Sequence, residues 1–161
     1  MFKNINISGL SITSLNILAS LAFSYYLTHT LTNNTDALNL VANVFSILSG
    51  FLLLVITMSG ENSAVIANLN DFDAANQERR FIMRFNKYYM LFLLYILTLA
   101  LIFIFYLIAK EKDDSSKYLP LLKLSISHII AFLTCFSFIQ STFIPLKIKE
   151  LFKEKRELNR K

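Results

Sequence analysis

The stretch that decides the fold is YYMLFLLYILTLALIFIFYLIA, running from Tyr88 to Ala109. It contains no Lys, Arg, Asp or Glu, and Thr98 is its only hydroxyl besides the tyrosines. A hydrocarbon core about 30 Å thick is crossed by roughly 20 apolar residues in a helix, so this run is long enough to span. Working outward, residues 4–35, 37–60 and 124–146 are also free of Lys, Arg, Asp and Glu. Charged residues make up only 17% of the 161-residue chain, against about a quarter in an ordinary soluble domain. These features predict an all-α membrane protein. The expected architecture is a four-transmembrane-helix bundle over residues 1–146, with spans near 11–31, 38–58, 88–109 and 119–146.

Lys3 followed by an apolar run has the look of a signal peptide, and Ser20-Leu21-Ala22 offers small residues for cleavage. The run continues through Tyr25, Tyr26 and Leu27, which favours an uncleaved anchor. Thr32 to Asp36 forms a short polar turn, residues 60–87 the longest loop, and Lys110 to Lys117 a compact charged turn. Lys and Arg collect on cytoplasmic flanks. With the N-terminus inside, twelve of the sixteen lie on the inner side (Lys3, four in the central loop, seven in the tail) and three outside. The expected topology is therefore N-in/C-in. Tyr25, Tyr26, Tyr106 and Tyr118 would fall at the outer interface and Tyr88 and Tyr89 at the inner one, as an aromatic belt does.

In the central loop, Asp71 or Asp73 is placed to cap a helix starting near Ala74 and running into the third span. Arg79, Arg80, Arg84 and Lys87 would then touch anionic head groups of the inner leaflet or a cytosolic protein partner. In the tail, 147–161, Ile148, Leu151, Phe152 and Leu158 recur at helical spacing among charges, after a Pro145 that interrupts the chain. That pattern predicts a basic amphipathic helix at the cytoplasmic face, with Lys149, Lys153 and Arg156 on its polar side. Anionic lipid is a more economical partner for such a tail than nucleic acid, whose direct binding is not expected.

No Asp or Glu lies inside a span, which disfavours carboxylate proton relays and intramembrane aspartyl chemistry. H-E-x-x-H, G-x-S-x-G, C-x-x-C and the phosphate-binding G-x-x-x-x-G-K-[ST] are all absent. Cys135 stands alone and reads as a packing residue rather than a ligand. Ser127 and His128 are neighbours in sequence and point about 100° apart on a helix, a poor geometry for a dyad. No enzyme, cofactor or metal is expected.

More informative are stripes of small and polar residues. Asn16, Ser20, Ser24 and Thr28 repeat every four residues; Asn39, Asn43, Ser46 and Gly50 follow at spacings of four, three and four; Ser127, Ala131, Thr134 and Ser141 share a face. Such faces let helix backbones approach, and embedded amides bond across helices. The first, second and fourth helices are thus expected to make the helix contacts, and the third to face lipid most. One stripe is free to serve self-association, and Asn16, Asn39 and Asn43 together offer a polar pore as the alternative. His128 is expected at an interhelical or interfacial site, with response to pH or ligand as the other possibility.

The order of an inside N-terminus, four spans, a basic stretch before the third span and a charged tail resembles that of small membrane proteins of bacterial phage-defence systems. The likeness is carried by Arg79-Arg80 and Arg84 leading into Tyr88-Tyr89, and by Cys135 through Ile148-Lys149-Glu150-Leu151 after the last span. It covers the layout of most of the chain, and its motifs are generic. Two groups share the layout, the membrane subunit of the Kiwa system and the phage-exclusion protein of the Rex type. The Kiwa likeness implies a homo-oligomeric sensor in the bacterial inner membrane coupled to a cytosolic effector. The Rex likeness implies instead a pore that depolarises that membrane. Neither transfers a catalytic residue.

Overall fold

The computed structural model describes residues 7–60, 71–110 and 118–145, together with 148, 149, 153 and 156. The described residues form four long helices: α1 (Ile7–Thr32), α2 (Thr35–Gly60), α3 (Asp71–Lys110) and α4 (Leu119–Ser141). In hydrocarbon every backbone N–H and C=O must be satisfied inside the segment, and a helix does this by itself. α2 over Thr35–Thr57, α3 over Phe85–Lys110 and α4 over Leu119–Ser141 are long and apolar enough to cross a membrane. α1 is 26 residues long but less apolar, diluted by Asn16 and its serines and threonines.

Local chemistry sets the helix ends. α1 closes with the Asn33 N–H donating to the His29 carbonyl at 3.1 Å. The Asn34 side chain then accepts the Ala37 N–H at 3.1 Å, an N-cap that satisfies one of the first orphan donors of α2. Pro120 lies in the first turn of α4, where its missing N–H costs nothing. At the far end α4 stops at Ser141, with the Thr142 N–H bonded back to Phe138 at 3.3 Å and the Phe143 N–H to Gln140 at 3.2 Å. The donor that would continue the ladder to the Ser141 carbonyl belongs to residue 145, which is proline. The fourth helix is thus shorter than the expected 119–146.

α3 is a single helix of 40 residues. It absorbs most of what the sequence suggested as a 60–87 loop, because α2 runs to Gly60 and α3 starts at Asp71. Residues 61–70 and 111–117 lie outside the described residues, as do the side chains of Arg80 and Arg84.

The helices pack in the order α1, α4, α3, α2, and α1 and α2 meet only sparingly. Antiparallel neighbours put the C-terminus of α2, the N-termini of α1 and α3 and the C-terminus of α4 at one end. α2 and α3 meet through matching seams. On α2 these are Leu38, Val41, Phe45, Leu48, Leu52 and Val55; on α3 they are Tyr88, Leu91, Tyr95, Thr98, Ile102 and Phe105, buried or half-buried throughout. Both repeat every seven residues, the spacing of interlocking helices. Phe45 sits at the centre, its ring 5.0 Å from those of Tyr95 and Phe138.

This corrects the expectation that the third helix faces lipid most. α3 packs on both α2 and α4, using large side chains rather than small ones. In a bilayer, close van der Waals fit drives helices together as well as small-residue approach does, and Tyr95 is fully buried by such fit.

α1 is inside-out by the standards of a soluble helix. Among its described side chains Asn16, Ser20, Ser24 and Thr28 are the buried ones, whereas Leu15 is 69% and Leu18 62% exposed.

Candidate functional site

Each polar stripe has a distinct placement. That of α1 faces α4 and is closed. The Asn16 amide donates to the Phe136 carbonyl at 3.4 Å, and the Ser24 hydroxyl to the His128 carbonyl at 2.9 Å. Ser20 bonds the Asn16 carbonyl at 2.8 Å and its side-chain oxygen at 3.3 Å, while Thr28 bonds the Ser24 carbonyl. Hydroxyls that return to a carbonyl four residues back leave little polarity exposed, which lets α1 lie close against α4. Ser127, Ala131 and Thr134 of α4 are buried as well.

The α2 stripe is different: Asn39, Asn43, Ser46 and Gly50 are all exposed. A Cβ added to Gly50 would meet nothing within 4 Å, so this glycine serves no close approach inside the chain. Ser46 bonds the Ala42 carbonyl at 2.9 Å. Asn39 accepts from the Tyr106 hydroxyl at 3.0 Å, which also reaches the Thr35 carbonyl at 3.2 Å. The Asn43 amide has no hydrogen-bond partner among the described residues.

The three asparagines expected to line a pore therefore do not converge within one chain. Asn16 is sealed between α1 and α4, Asn39 is bonded to Tyr106 of α3, and Asn43 is exposed on α2. Helix spacing placed each residue on a face, but it carried no information on which faces meet.

His128 is exposed on α4, its Nδ1 2.9 Å from the Leu124 carbonyl. Ser127 is buried and bonds the Lys123 carbonyl at 2.8 Å. The two side chains thus diverge and make no dyad. Lys123 lies over the Phe105 ring, 5.9 Å from its centroid, a contact that offsets part of the cost of an ammonium near hydrocarbon. Cys135 is half-buried and free.

At the end of the bundle holding Gly60 and Asp71, Arg79 and Lys87 of α3 are exposed. Ile148, Lys149, Lys153 and Arg156 are helical. Ile148 packs against the core cluster, and the three basic residues point outward. Leu151, Phe152 and Leu158 lie outside the described residues.

Some polar features escape a reading of the sequence. Tyr95 pairs with Ser141 at 2.5 Å, and the buried hydroxyls of Ser49, Thr134 and Ser137 have no partner among the described residues. Two more residues, Leu53 and Thr57, prolong the exposed α2 stripe at spacings of three and four. That signal was present in the sequence. Among the described residues no group of three His, Cys, Asp or Glu side chains is placed to hold a metal ion.

Compared with known protein families, characterised proteins and solved structures, the chain matches none.

Proposed function

We propose that this chain is a non-enzymatic, homo-oligomeric membrane sensor or anchor that acts through a cytosolic protein partner. In this reading all four helices span the bacterial inner membrane, with both termini inside. The inverted polarity of α1 supports the fourth span, since leucines turned outward and one amide and three hydroxyls turned inward suit lipid and not water. The surplus of Lys and Arg at the end shared by the central segment and the tail supports the orientation.

The observation that carries the functional part is the length of α3. Its apolar portion begins at Phe85, yet the helix begins at Asp71. Residues 71–84 therefore extend it beyond the span by about 20 Å at 1.5 Å per residue. An unbroken helix carries displacement or rotation at its cytosolic end directly into the α2–α3 seam. Beside it the tail presents Lys149, Lys153 and Arg156, suited to anionic lipid or an acidic protein surface. The layout shared with phage-defence membrane proteins adds an antiphage setting to the proposal.

Photo-crosslinking residues introduced at Arg79, Lys87 and Lys153 in cells test it. A cytosolic protein is expected in the adducts from all three positions and from none at Asn33 in the opposite turn. Adducts with lipid alone at all three would contradict a protein partner.

A depolarising pore is the second reading. The unpartnered Asn43 is the observation in its favour, and it requires several copies, because the asparagines of one chain do not converge.

A further inference from the structure

We propose that the outward face of α2, made by Asn39, Asn43, Ser46, Gly50, Leu53 and Thr57, is the seam along which two copies of this chain join. The Asn43 carboxamides pair across it. This rests on the membrane reading above and names the face that its homo-oligomeric part left open.

Composition is the first support. The six residues follow one another at spacings of four, three, four, three and four, and all are exposed. Positions 39, 46 and 53 and positions 43, 50 and 57 each repeat every seven residues, the repeat of a helix matched to another lying alongside. Any face of a helix recurs at three and four, so what sets this one apart is composition: it gathers both asparagines of α2 with Ser46 and Gly50, beside a flank of Leu40, Ile47, Phe51 and Leu54. The seam from Leu38 to Val55 is filled by α3, whereas of the polar face only Asn39, at its end, is reached by α3, through Tyr106.

The second support is the chemistry of Asn43. It lies eight residues into the apolar segment that starts at Thr35, about 12 Å along the helix axis, and its amide has no partner among the described residues. Acyl chains supply neither donor nor acceptor, so an amide left there is strongly disfavoured. The occupant must bring both at that depth. A carboxamide is donor and acceptor at once and is its own complement. Copies inserted with one topology and related by a two-fold axis along the membrane normal place Asn43 opposite Asn43. A single buried asparagine in such a seam fixes register and subunit number. Gly50, with open space where its Cβ would be, lets the two backbones approach two turns further in.

Disulfide cross-linking of the full chain in its native membrane tests this, in a Cys135→Ala background. Asn43→Cys, Ser46→Cys and Gly50→Cys are compared with Leu40→Cys and Ile47→Cys on the neighbouring exposed flank. Seam positions are expected to form homodimers at least about ten times faster than flank positions. Equal rates, faster cross-linking on the flank, or a seam adduct with a different protein would overturn the proposal. Asn43→Leu in an otherwise native chain is expected to weaken self-association about threefold to tenfold, the worth of one interhelical hydrogen bond in a bilayer, and Asn43→Gln to retain it. Rapid reaction of Asn43→Cys with a membrane-impermeant thiosulfonate would show a water-filled seam, overturning the paired amides in favour of a pore. None of these readings involves a cytosolic protein. A failed seam therefore leaves the photo-crosslinking result standing, and the reverse also holds.

Discussion

Ser24 shows how this bundle uses polarity. Its hydroxyl crosses from α1 to the His128 carbonyl, a backbone group that the α4 ladder already satisfies, so the bond adds to packing without leaving an orphan when lost. Ser24→Ala is therefore expected to destabilise the folded protein by about 0.6 kcal/mol, near the average for interhelical hydrogen bonds in bilayers. Ser20→Leu is a different kind of change. Ser20 is fully buried against α4, and a leucine there must push the helices apart, at a cost of about 2 kcal/mol or more. His128→Ala is expected to change stability by less than about 0.5 kcal/mol, since an exposed ring bonded to its own helix is an ordinary surface feature. Reversible unfolding in mixed micelles, followed by circular dichroism, measures all three. A His128→Ala loss larger than that of Ser20→Leu would contradict the assignment of the α1–α4 interface.

Helix by helix, the elements differ in how much of them was legible in the sequence. The apolar runs of α2, α3 and α4 were plain because hydrocarbon thickness sets a minimum length that few soluble segments meet. The forward extension of α3 was legible from the acidic residues ahead of Ala74. The partners of each helix were not. A seven-residue repeat looks the same whether the chain itself fills that face, as for Leu38 to Val55, or leaves it exposed, as for Asn39 to Thr57. In α3 the repeat is hidden, because Tyr88, Leu91, Tyr95, Ile102 and Phe105 stand among equally apolar lipid-facing neighbours such as Phe103 and Leu107. Only packing distinguishes them. The end of α4 yields a prediction of its own. Pro145→Ala restores the missing donor to the Ser141 carbonyl and is expected to join α4 to the tail helix. Hydrogen exchange at residues 144 and 146 would slow by an order of magnitude or more; unchanged exchange would show that the break at Thr142 has another cause.

At the scale of the molecule, polarity is arranged by compartment. Large apolar side chains cover the outside of the bundle, hydroxyls and one amide are folded between α1 and α4, and exposed basic residues gather where α3 and the tail emerge. α1 holds the key to this arrangement, since its membrane-crossing rests on inverted polarity rather than on hydropathy. If it crosses, the first residues share a side with Lys149, Lys153 and Arg156. If it lies on the outer surface, they share a side with the turn at Asn33. Labelling Ser8→Cys, Asn33→Cys and Lys153→Cys in the Cys135→Ala background with a membrane-impermeant maleimide separates the two. In intact spheroplasts Asn33→Cys is expected to react at once, and Ser8→Cys and Lys153→Cys only after the membrane is opened. Reaction of Ser8→Cys from outside at the rate of Asn33→Cys would contradict a four-span protein with both ends in the cytoplasm.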